Sequence, residues 1–378
     1  MWHEMRLYYD PFDKIRNGEK TIELRLNDEK RRKIRVGDTI CFHRYEREYD
    51  VIICTVTDLY RFNSFEELYR ALPLKQCGYT EEQEKDAKAE DMLEHYSLAE
   101  QRKYGVLGIG IRKSDQDYLT DCHMHLEYGD LSREYVMEFV DEAVKKGIHE
   151  IDILDHTHRF KEFEPCYEHL KIYDQQKQWL MQPTKFHNTL DEYIGLIDEM
   201  KRLDLPIKVK FGLEVCYTRD TEEMLKKILS GYQFDFLTGA VHSINSILYD
   251  MSFSKELLWD KYPADQIYRD YYEAVLNCVK SGLFTRLAHP DTIKMFKIYP
   301  DYDLSETYHL LGRALKQQDM LAEINTGCRY RYGHPDIGLS DELLAVFKEE
   351  DVQLITGSDA HKPADVGSFI KEATQRIK

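Results

Sequence analysis

From about residue 117 onward, short apolar runs alternate with longer segments in which apolar residues recur at helical spacing. Apolar side chains in residues 131–144 fall on one face, which predicts a helix that stops at Gly147. The run Ile151–Leu154 that follows has the length and the β-branched content of a buried strand. About seven strand–helix units can be placed in this way, which is typical of an α/β barrel with parallel strands.

The first 116 residues show a different pattern, in which polar and apolar side chains alternate over short stretches. Thr21, Glu23 and Arg25 alternate with apolar neighbours, as in a half-buried strand. Further strands are predicted at residues 36–42, 51–56 and 104–111, and helices at 65–71 and 81–96. Short strands separated by turns indicate a small β-barrel. The polar break Lys113–Asp117 then predicts two domains, residues 1–116 and 117–378.

Composition and charge narrow the class of protein. The net charge is −17, and residues 1–115 contribute only 21 basic and 23 acidic side chains, so most of the negative charge lies in the C-terminal part. That part is therefore a poor nucleic-acid binder by its overall field, and the basic run Lys30–Arg35 is typical of a solvated loop. No apolar run is long enough to span a membrane and no secretory signal is present. Eight cysteines without a C-x-x-C pair predict a reduced, cytoplasmic protein.

Polar residues at the predicted strand ends carry the candidate chemistry. The set consists of imidazoles and carboxylates: His123, His125, His156, Glu214, His242, His289, Asp359 and His361. In a parallel barrel these ends converge on one face, where burying such groups without a cation would cost several kcal/mol each. Imidazole nitrogen and carboxylate oxygen suit Zn, Fe or Mn, so the sequence predicts a site for two or three divalent metal ions.

The order of these motifs resembles the PHP (polymerase and histidinol phosphatase) family over residues 119–378. The matching motifs are H-x-H at 123–125, D-H at 155–156, Glu214, V-H-S at 241–243, A-H-P at 288–290 and G-S-D-A-H at 357–361. The residues around 155–160, 323–326 and 359–363 look closest to the histidinol-phosphatase branch. The resemblance implies a distorted barrel of about seven βα units and a metal-dependent phosphoric monoester hydrolase.

The resemblance also implies how the metal ions are shared. His123, His125, Glu214 and Asp359 would hold one ion, and Glu214 would bridge to a second ion held by His242 and His289. His156 and His361 would serve a third ion. Many family members have a further histidine for that ion, and Glu127 is the substitute in this chain.

The expected reaction is hydrolysis of a small phosphate monoester, above all L-histidinol phosphate, by a metal-bound hydroxide. Glu214 and Asp359 would hold the catalytic ions. Arg159 is the first candidate for a bidentate phosphate contact, with Arg329, Arg331 and Lys362 as alternatives. His158 is either a partner of the ligands, a proton donor to the leaving group or a surface histidine.

The N-terminal part carries a second resemblance. After Pro11-Phe12, the spacing G-x-K-x-x-E-x-R followed by V-G-D at 36–38 is similar to the ASCH domain, a relative of the PUA-type β-barrels. That likeness implies a cleft lined by Lys20, Glu23 and Arg25 and an RNA-linked role, and some members resemble amidohydrolases of modified cytidine. The alternative is a surface pair of Lys20 and Glu23.

Two further functions therefore stay open. One is a phosphoesterase for another metabolite or a nucleotide, with the N-terminal domain as an RNA- or nucleotide-binding specificity module. The other is an RNA-binding module that recruits a phosphatase.

Overall fold

The strands of the protein form two main sheets, one in each of two units of the chain. In the computed structural model, which describes residues 1–378, these units are Met1–Tyr118 and Leu119–Lys378. None of the helices combines the length and the apolar character needed to cross a bilayer.

The N-terminal unit contains a five-stranded sheet that curls into a half-barrel. Its strands are β1 (Trp2–Leu7), β2 (Ile22–Leu26), β3 (Thr39–Arg44), β4 (Val51–Phe62) and β5 (Val106–Lys113). They lie in the order β1-β3-β4-β5-β2, with β1 and β3 parallel and the other pairs antiparallel. This curled sheet agrees with the small PUA-like β-barrel that the sequence predicted for the N-terminal part.

Four short helices accompany this sheet. They are α1 (Tyr9–Arg16), α2 (Phe65–Ala71), α3 (Glu81–Asp86) and α4 (Leu98–Tyr104). The single helix predicted over residues 81–96 is wrong, because α3 ends at Asp86 and a separate 3-10 turn spans Ala89–Glu94. Neither piece buries a side chain, so no apolar face holds the segment together as one helix.

The second unit contains seven parallel strands, as the sequence predicted. In chain order its strands are β6 (Thr120–Met124), β7 (Glu150–His156), β8 (Lys208–Cys216), β9 (Phe236–Ala240), the hairpin β10 (Ser243–Ile244) and β11 (Ile247–Leu248), β12 (Arg286–Leu287), β13 (Leu321–Asn325) and β14 (Leu354–Gly357). Apart from the hairpin, neighbours in the sheet are neighbours along the chain. The main strands are nearly all buried, as expected of a parallel sheet covered by helices.

Helices surround this sheet. They are α5 (Arg133–Lys145), α6 (Asp174–Leu180), α7 (Leu190–Met200), α8 (Glu222–Leu229), α9 (Ala264–Lys280), α10 (Ser305–Gln317), α11 (Gly327–Tyr332), α12 (Asp341–Glu349) and α13 (Ile370–Ile377). The predicted helix after β6 is α5. Ser132 caps its first turn by accepting a hydrogen bond from the amide of Tyr135, and Gly147 follows its end with φ +70°.

The first and last strands meet and bring the barrel close to closure. The Thr356 hydroxyl donates to the carbonyl of Thr120 over 2.6 Å. Beyond β14, the amide of Asp359 donates to the His123 carbonyl over 2.8 Å, and the amide of His125 donates to the Ala360 carbonyl over 2.7 Å. We call these contacts the β6–β14 seam. The seam joins the H-x-H segment at 123–125 to the G-S-D-A-H segment at 357–361, more than 230 residues further along the chain.

A glycine at the seam provides a test of this closure. A β-carbon built on Gly357 would lie 2.7 Å from Cβ of His123, so Gly357→Ala must push β14 and β6 apart. We expect it to lower the free energy of unfolding by about 1–3 kcal/mol, as measured by urea denaturation. Gly195→Ala in α7 is the control. A β-carbon there meets nothing within 4 Å, so that variant should be neutral or stabilised by up to about 1 kcal/mol. Equal stability of the two variants would contradict a tightly packed seam.

Candidate metal centre

The eight groups predicted at the strand ends lie together at one mouth of the barrel. Their positions are His123 in β6 and His125 just after it, His156 at the end of β7, Glu214 in β8, His242 after β9, His289 after β12, and Asp359 and His361 after β14. Every one of them is buried or half-buried. The carboxyl ends of parallel strands open on the same face, and that placement explains the convergence.

The first group of potential ligands consists of His123, His125 and Asp359. The Nε2 atoms of the two histidines lie 2.9 Å apart, and Oδ1 of Asp359 lies 3.4 Å from Nε2 of His125. One ligand atom from each of the three residues lies within 4.8 Å of the others. The three donors therefore surround a common point, as a single ion requires.

The Glu214 carboxylate lies between two sets of imidazoles. Its Oε1 is 2.8 Å from Nε2 of His289 and 3.2 Å from Nε2 of His242. Its Oε2 is 2.6 Å from Nδ1 of His156 and 3.6 Å from Nε2 of His125. A carboxylate with imidazoles at both oxygens could be shared by two metal ions.

A third group consists of His125, His156 and His361. Nε2 of His156 and Nε2 of His361 are 3.4 Å apart, and the rings of His125 and His156 are stacked with centroids 4.0 Å apart. This group contains three imidazoles and no carboxylate. The carboxylate of Glu127 is next to it, with Oε2 3.5 Å from Nε2 of His361.

Two acidic residues orient the ligand histidines from behind, and sequence analysis did not assign them this role. Both carboxylate oxygens of Glu323 lie 2.9 Å from Nδ1 of His123, and Oδ2 of Asp250 lies 2.8 Å from Nδ1 of His242. A carboxylate accepts, so each Nδ1 carries the proton and Nε2 points into the site. An acidic residue within the apolar strand β13 was the available signal for Glu323.

Charges in the site are strongly coupled. Burial opposes the charge of Glu214, but the surrounding imidazoles, His156 and His242 first, hold its pKa well below its usual range. Burial lowers the pKa of His123, yet Glu323 and Asp359 outweigh it and raise that pKa well above its usual range. Burial, with His125 nearby, lowers the pKa of His361 to about 3.

These residues fit a divalent cation. The Nε2 atom of His242 lies 3.2 Å from a carboxylate oxygen of Glu214, and the Nδ1–H group of His242 donates a hydrogen bond to Asp250. A lone pair facing a carboxylate is repelled, so the position needs a cation, either a proton or a metal ion. The clusters of His with Asp and Glu therefore suit divalent metals.

A cavity of about 470 Å³ opens above the cluster. Its wall includes His158, Arg331 and Glu127 from the predicted site, together with Lys185, which the sequence did not reveal. Lys185 lies in the long insertion between β7 and α7, residues 157–189, where no periodic sequence pattern indicates its position. The volume is in the range of sites for small molecules.

The predicted phosphate contact of Arg159 does not fit its position. The side chain is 1% exposed and its guanidinium donates to Asp155 Oδ2, to Asn188 Oδ1 and to the carbonyls of Leu126 and Gly129. Arg159 is absent from the cavity wall. It follows His156 in a 3-10 turn, which directs its side chain back to the carboxylate four residues earlier.

The three alternatives to Arg159 differ in whether they line the cavity. Arg331 lies in the cavity wall, where it donates to Oδ2 of Asp359 over 2.6 Å and to Nδ1 of His361 over 3.0 Å. Arg329 donates instead to the carbonyls of His334 and Pro335, outside the wall. Lys362 is exposed and is also outside the wall. Neither of these two predictions fits the structure.

His158 is a cavity residue and not the surface histidine that one alternative expected. It is 7% exposed, its ring stacks on His156 with centroids 4.4 Å apart, and its Nε2 lies 3.3 Å from the ammonium of Lys185. Burial, with Lys185 as the next cause, holds its pKa well below its usual range.

The predicted cleft residues of the N-terminal unit form a buried ion triad. Glu23 is 3% exposed, its Oε2 lies 3.2 Å from Nζ of Lys20, and its Oε1 lies 2.8 Å from Nε of Arg25. The alternative of a surface pair is wrong, because both partners enclose a buried carboxylate. Burial works against its charge, yet Lys20 and Arg25 lower the pKa of Glu23.

Comparison with protein families gives two matches. The model described as the PHP domain matches residues 121–327, a range that contains the strand-end groups other than Asp359 and His361. The model described as the ASCH domain matches residues 5–189, so it begins in the N-terminal unit and continues past Tyr118.

Individual relatives cover about two thirds of the chain. A probable histidinol-phosphatase of Deinococcus radiodurans is 26% identical over 267 residues, which cover 69% of this chain and 93% of that protein. The histidinol-phosphatase of Bacillus subtilis is 25% identical over 269 residues, which cover 65% of this chain and 95% of that protein. A crystal structure of histidinol phosphate phosphatase from Lactococcus lactis, complexed with zinc, L-histidinol and phosphate, is 22% identical with a TM-score of 0.51. It covers 68% of this chain and 92% of its own, and the likeness shows a common fold.

The structural role of Arg159 can be tested directly. Arg159→Met leaves Asp155 buried without its ion partner, so we expect a loss of about 3–5 kcal/mol in the free energy of unfolding by urea denaturation. Arg202→Met, at an exposed position after α7, is the matched control and should change stability by less than about 0.5 kcal/mol. A stable Arg159→Met variant that has lost only affinity for phosphate would restore the original assignment.

Proposed function

The chain belongs to the PHP domain family, as its motifs predicted, and we propose from this premise that it is a metal-dependent phosphatase that hydrolyses L-histidinol phosphate to L-histidinol and phosphate. The relatives at 25–26% identity are histidinol-phosphatases, which are phosphoric monoester hydrolases. The observation that carries the proposal is the Glu214 carboxylate, held between imidazoles on both oxygens beneath a cavity of substrate size.

The residues that would hold the metal ions follow from the groups described above. His123, His125 and Asp359 would hold one ion and His242 and His289 a second, with Glu214 shared between them. Zn, Fe and Mn all suit this donor set, and the Lactococcus structure contains zinc. Such ions lower the pKa of water and neutralise charge on a phosphoryl group.

The chain's own residues prepare the site for that chemistry. Glu323 and Asp250 fix the tautomers of His123 and His242, so that both Nε2 atoms face inward. The Arg331 guanidinium is 27% exposed at the cavity wall, and its N–H groups that are not bonded to Asp359 or His361 can donate to phosphoryl oxygens. Asp359 and His361 thus orient Arg331 as well as facing the ions.

Hydrolysis adds a water oxygen to phosphorus, breaks the ester P–O bond and leaves an alcohol oxygen that takes a proton. His158 was one candidate for the donor of that proton. Its low pKa leaves it neutral, and its Nε2 accepts from Lys185, so we assign it to holding Lys185 in place. The attacking water loses a proton when its oxygen bonds to phosphorus, and this proton balances the one that the alcohol oxygen takes.

The cavity walls suit a small, partly apolar leaving group. Met251, Met295, Trp179 and Tyr332 contribute apolar and aromatic surface above the ligand cluster. An imidazole ring can stack on such surfaces. Another metabolite or a nucleotide is the alternative ester, and a panel of phosphate esters separates these substrates by kcat/KM.

A place in histidine biosynthesis follows from this substrate. We also propose a cytoplasmic location, because all eight cysteines are free thiols and seven of them are buried, as in proteins of a reducing compartment.

The role of Glu214 and of the metal ions gives the central test. Glu214→Gln should lower kcat for histidinol phosphate by more than about 100-fold. Removing a residue that only hydrogen-bonds to a metal ligand costs up to about 100-fold, and Glu214 would itself be a ligand. Chelation of the wild type should abolish turnover, and added Zn²⁺ or Mn²⁺ should restore it. Glu306→Gln, at an exposed position in α10, is the control and should keep full activity. Wild-type protein that is loaded with metal yet inactive on histidinol phosphate would overturn the proposed substrate.

An RNA or nucleotide ligand for the N-terminal unit is a second proposal, and a specific surface favours it. Tyr8 and Tyr45 are 60% and 51% exposed and their rings stack with centroids 4.6 Å apart. Arg44 lies over the ring of Tyr9 at 4.5 Å, and Tyr9 is 53% exposed. Exposed aromatic rings beside guanidinium groups provide stacking surfaces for unpaired bases.

This surface can be tested with a fluorescent uridine oligonucleotide and the full chain. The double variant Tyr8→Ala/Tyr45→Ala should weaken binding about tenfold or more, with a stacking loss of roughly 1–3 kcal/mol per base. Binding by the wild type should also fall with rising salt. Tyr262→Ala, 41% exposed in the second unit, is the control and should bind as the wild type does. Equal binding by all three proteins would exclude the surface.

A further inference from the structure

The ammonium group of Lys185 is buried beside the ligand cluster. Its side chain is 3% exposed, and Nζ lies 2.7 Å from Oε1 of Glu127. The same Nζ lies 3.3 Å from Nε2 of His158 and 4.5 Å from the centre of the Trp179 ring. A fixed positive charge is therefore present in the cavity wall, paired with a carboxylate that is itself buried.

The backbone sets this position, so Lys185 does not depend on a flexible side chain alone. The Lys185 amide donates to the Gln182 carbonyl over 3.0 Å, and the next amide, of Phe186, donates to the His158 carbonyl over 2.8 Å. Phe186 has φ 49°, in the left-handed region, which turns the chain immediately after Lys185. The segment is thus attached to the 3-10 turn that follows β7.

The pairing changes what Glu127 can do. Glu127 is the carboxylate nearest to the group of His125, His156 and His361, with Oε2 3.5 Å from His361. Its negative charge is already compensated by Lys185. The other two ligand groups each contain a carboxylate of their own, Asp359 or Glu214. Glu214 is surrounded by imidazoles, and Arg331 is bonded only to Oδ2 of Asp359, so Oδ1 of Asp359 still faces His125.

A second positive charge is adjacent to the same group. Nη1 of Arg331 lies 3.0 Å from Nδ1 of His361, on the side of the ring away from His156. A dication among His125, His156 and His361 would thus lie close to the ammonium of Lys185 and the guanidinium of Arg331. Like charges at such separations repel strongly in a buried site. The other carboxylates near this group, Glu214 and Asp359, already face the other two ligand groups.

We propose that Lys185 stands in for a third metal ion, so that the protein retains two divalent ions tightly and binds a third only weakly at His125, His156 and His361. The inference rests on the proposed function for the identity of the site. It departs from the expectation that Glu127 completes a third metal position. With the ammonium of Lys185 removed by substitution, Glu127 is free to coordinate.

Metal stoichiometry tests the proposal without any substrate. The full chain is stripped with a chelator, reloaded with excess Mn²⁺ and desalted, and bound metal per chain is measured by mass spectrometry. The wild type should retain two ions and Lys185→Met three. In a calorimetric titration the weakest Mn²⁺ site should gain at least about tenfold in affinity in that variant.

Three further variants separate charge from packing. Lys185→Arg keeps the charge and should retain two ions. Lys177→Met removes a lysine from the same insertion, where it pairs with exposed Asp174, and should also retain two. Lys185→Met/Glu127→Gln should return to two ions, because the carboxylate freed in the single variant is then missing.

Two results would overturn the proposal. One is a wild type that keeps three ions after desalting, which needs no variant to fold. The other is a Lys185→Met protein with the circular dichroism spectrum of the wild type that still keeps two. Failure of the proposed function gives a different result, namely two retained ions without turnover of histidinol phosphate.

Discussion

The structure of the second unit depends on how buried negative charge is balanced at the mouth of the barrel. Glu214 and Asp359 are almost completely buried, and the groups nearest to them are imidazoles and one guanidinium. A carboxylate in such surroundings is stable only with positive charge close by. Histidines at the strand ends lie next to each carboxylate and provide this positive charge when they are protonated or bind a metal ion. The same arrangement creates coordination sites.

The insertion after β7 adds a charge of its own to this balance. Lys185 lies in a segment whose backbone is hydrogen-bonded to residues 158 and 159. Its ammonium group contacts Glu127, which follows the first barrel strand, β6. Arg159, from the same region, points the other way and compensates Asp155. Two neighbouring segments thus supply cations to two buried carboxylates, Lys185 to Glu127 in the cavity wall and Arg159 to Asp155 in β7.

Much of this organisation could be predicted from the sequence, because it depends on periodicity and on spacing. The seven parallel strands have apolar runs, and the eight strand-end groups stand where those runs stop, so both the barrel and the convergence of His123 with Asp359 were predictable. The position of Lys185 in the cavity wall was not predictable, because it depends on tertiary contacts and the insertion after β7 has no repeating pattern. The burial of Arg159 away from the cavity was not anticipated, for a related reason. Its position next to His156 in the sequence suggested the cavity, whereas the 3-10 turn reverses its side chain. The orienting roles of Glu323 and Asp250 also depend on tertiary contacts, although an acid inside the apolar strand β13 was a usable sign.

The β6–β14 seam has a consequence for how the centre is made in the cell. His123 and Asp359 reach one another only when the backbone hydrogen bonds between the first and last barrel strands exist, and those bonds join positions more than 230 residues apart. During synthesis on the ribosome, most of the imidazoles emerge long before the segment at 357–361. The ligand set that includes Asp359 therefore cannot be complete before residues 357–361 have been synthesised and β14 has docked against β6.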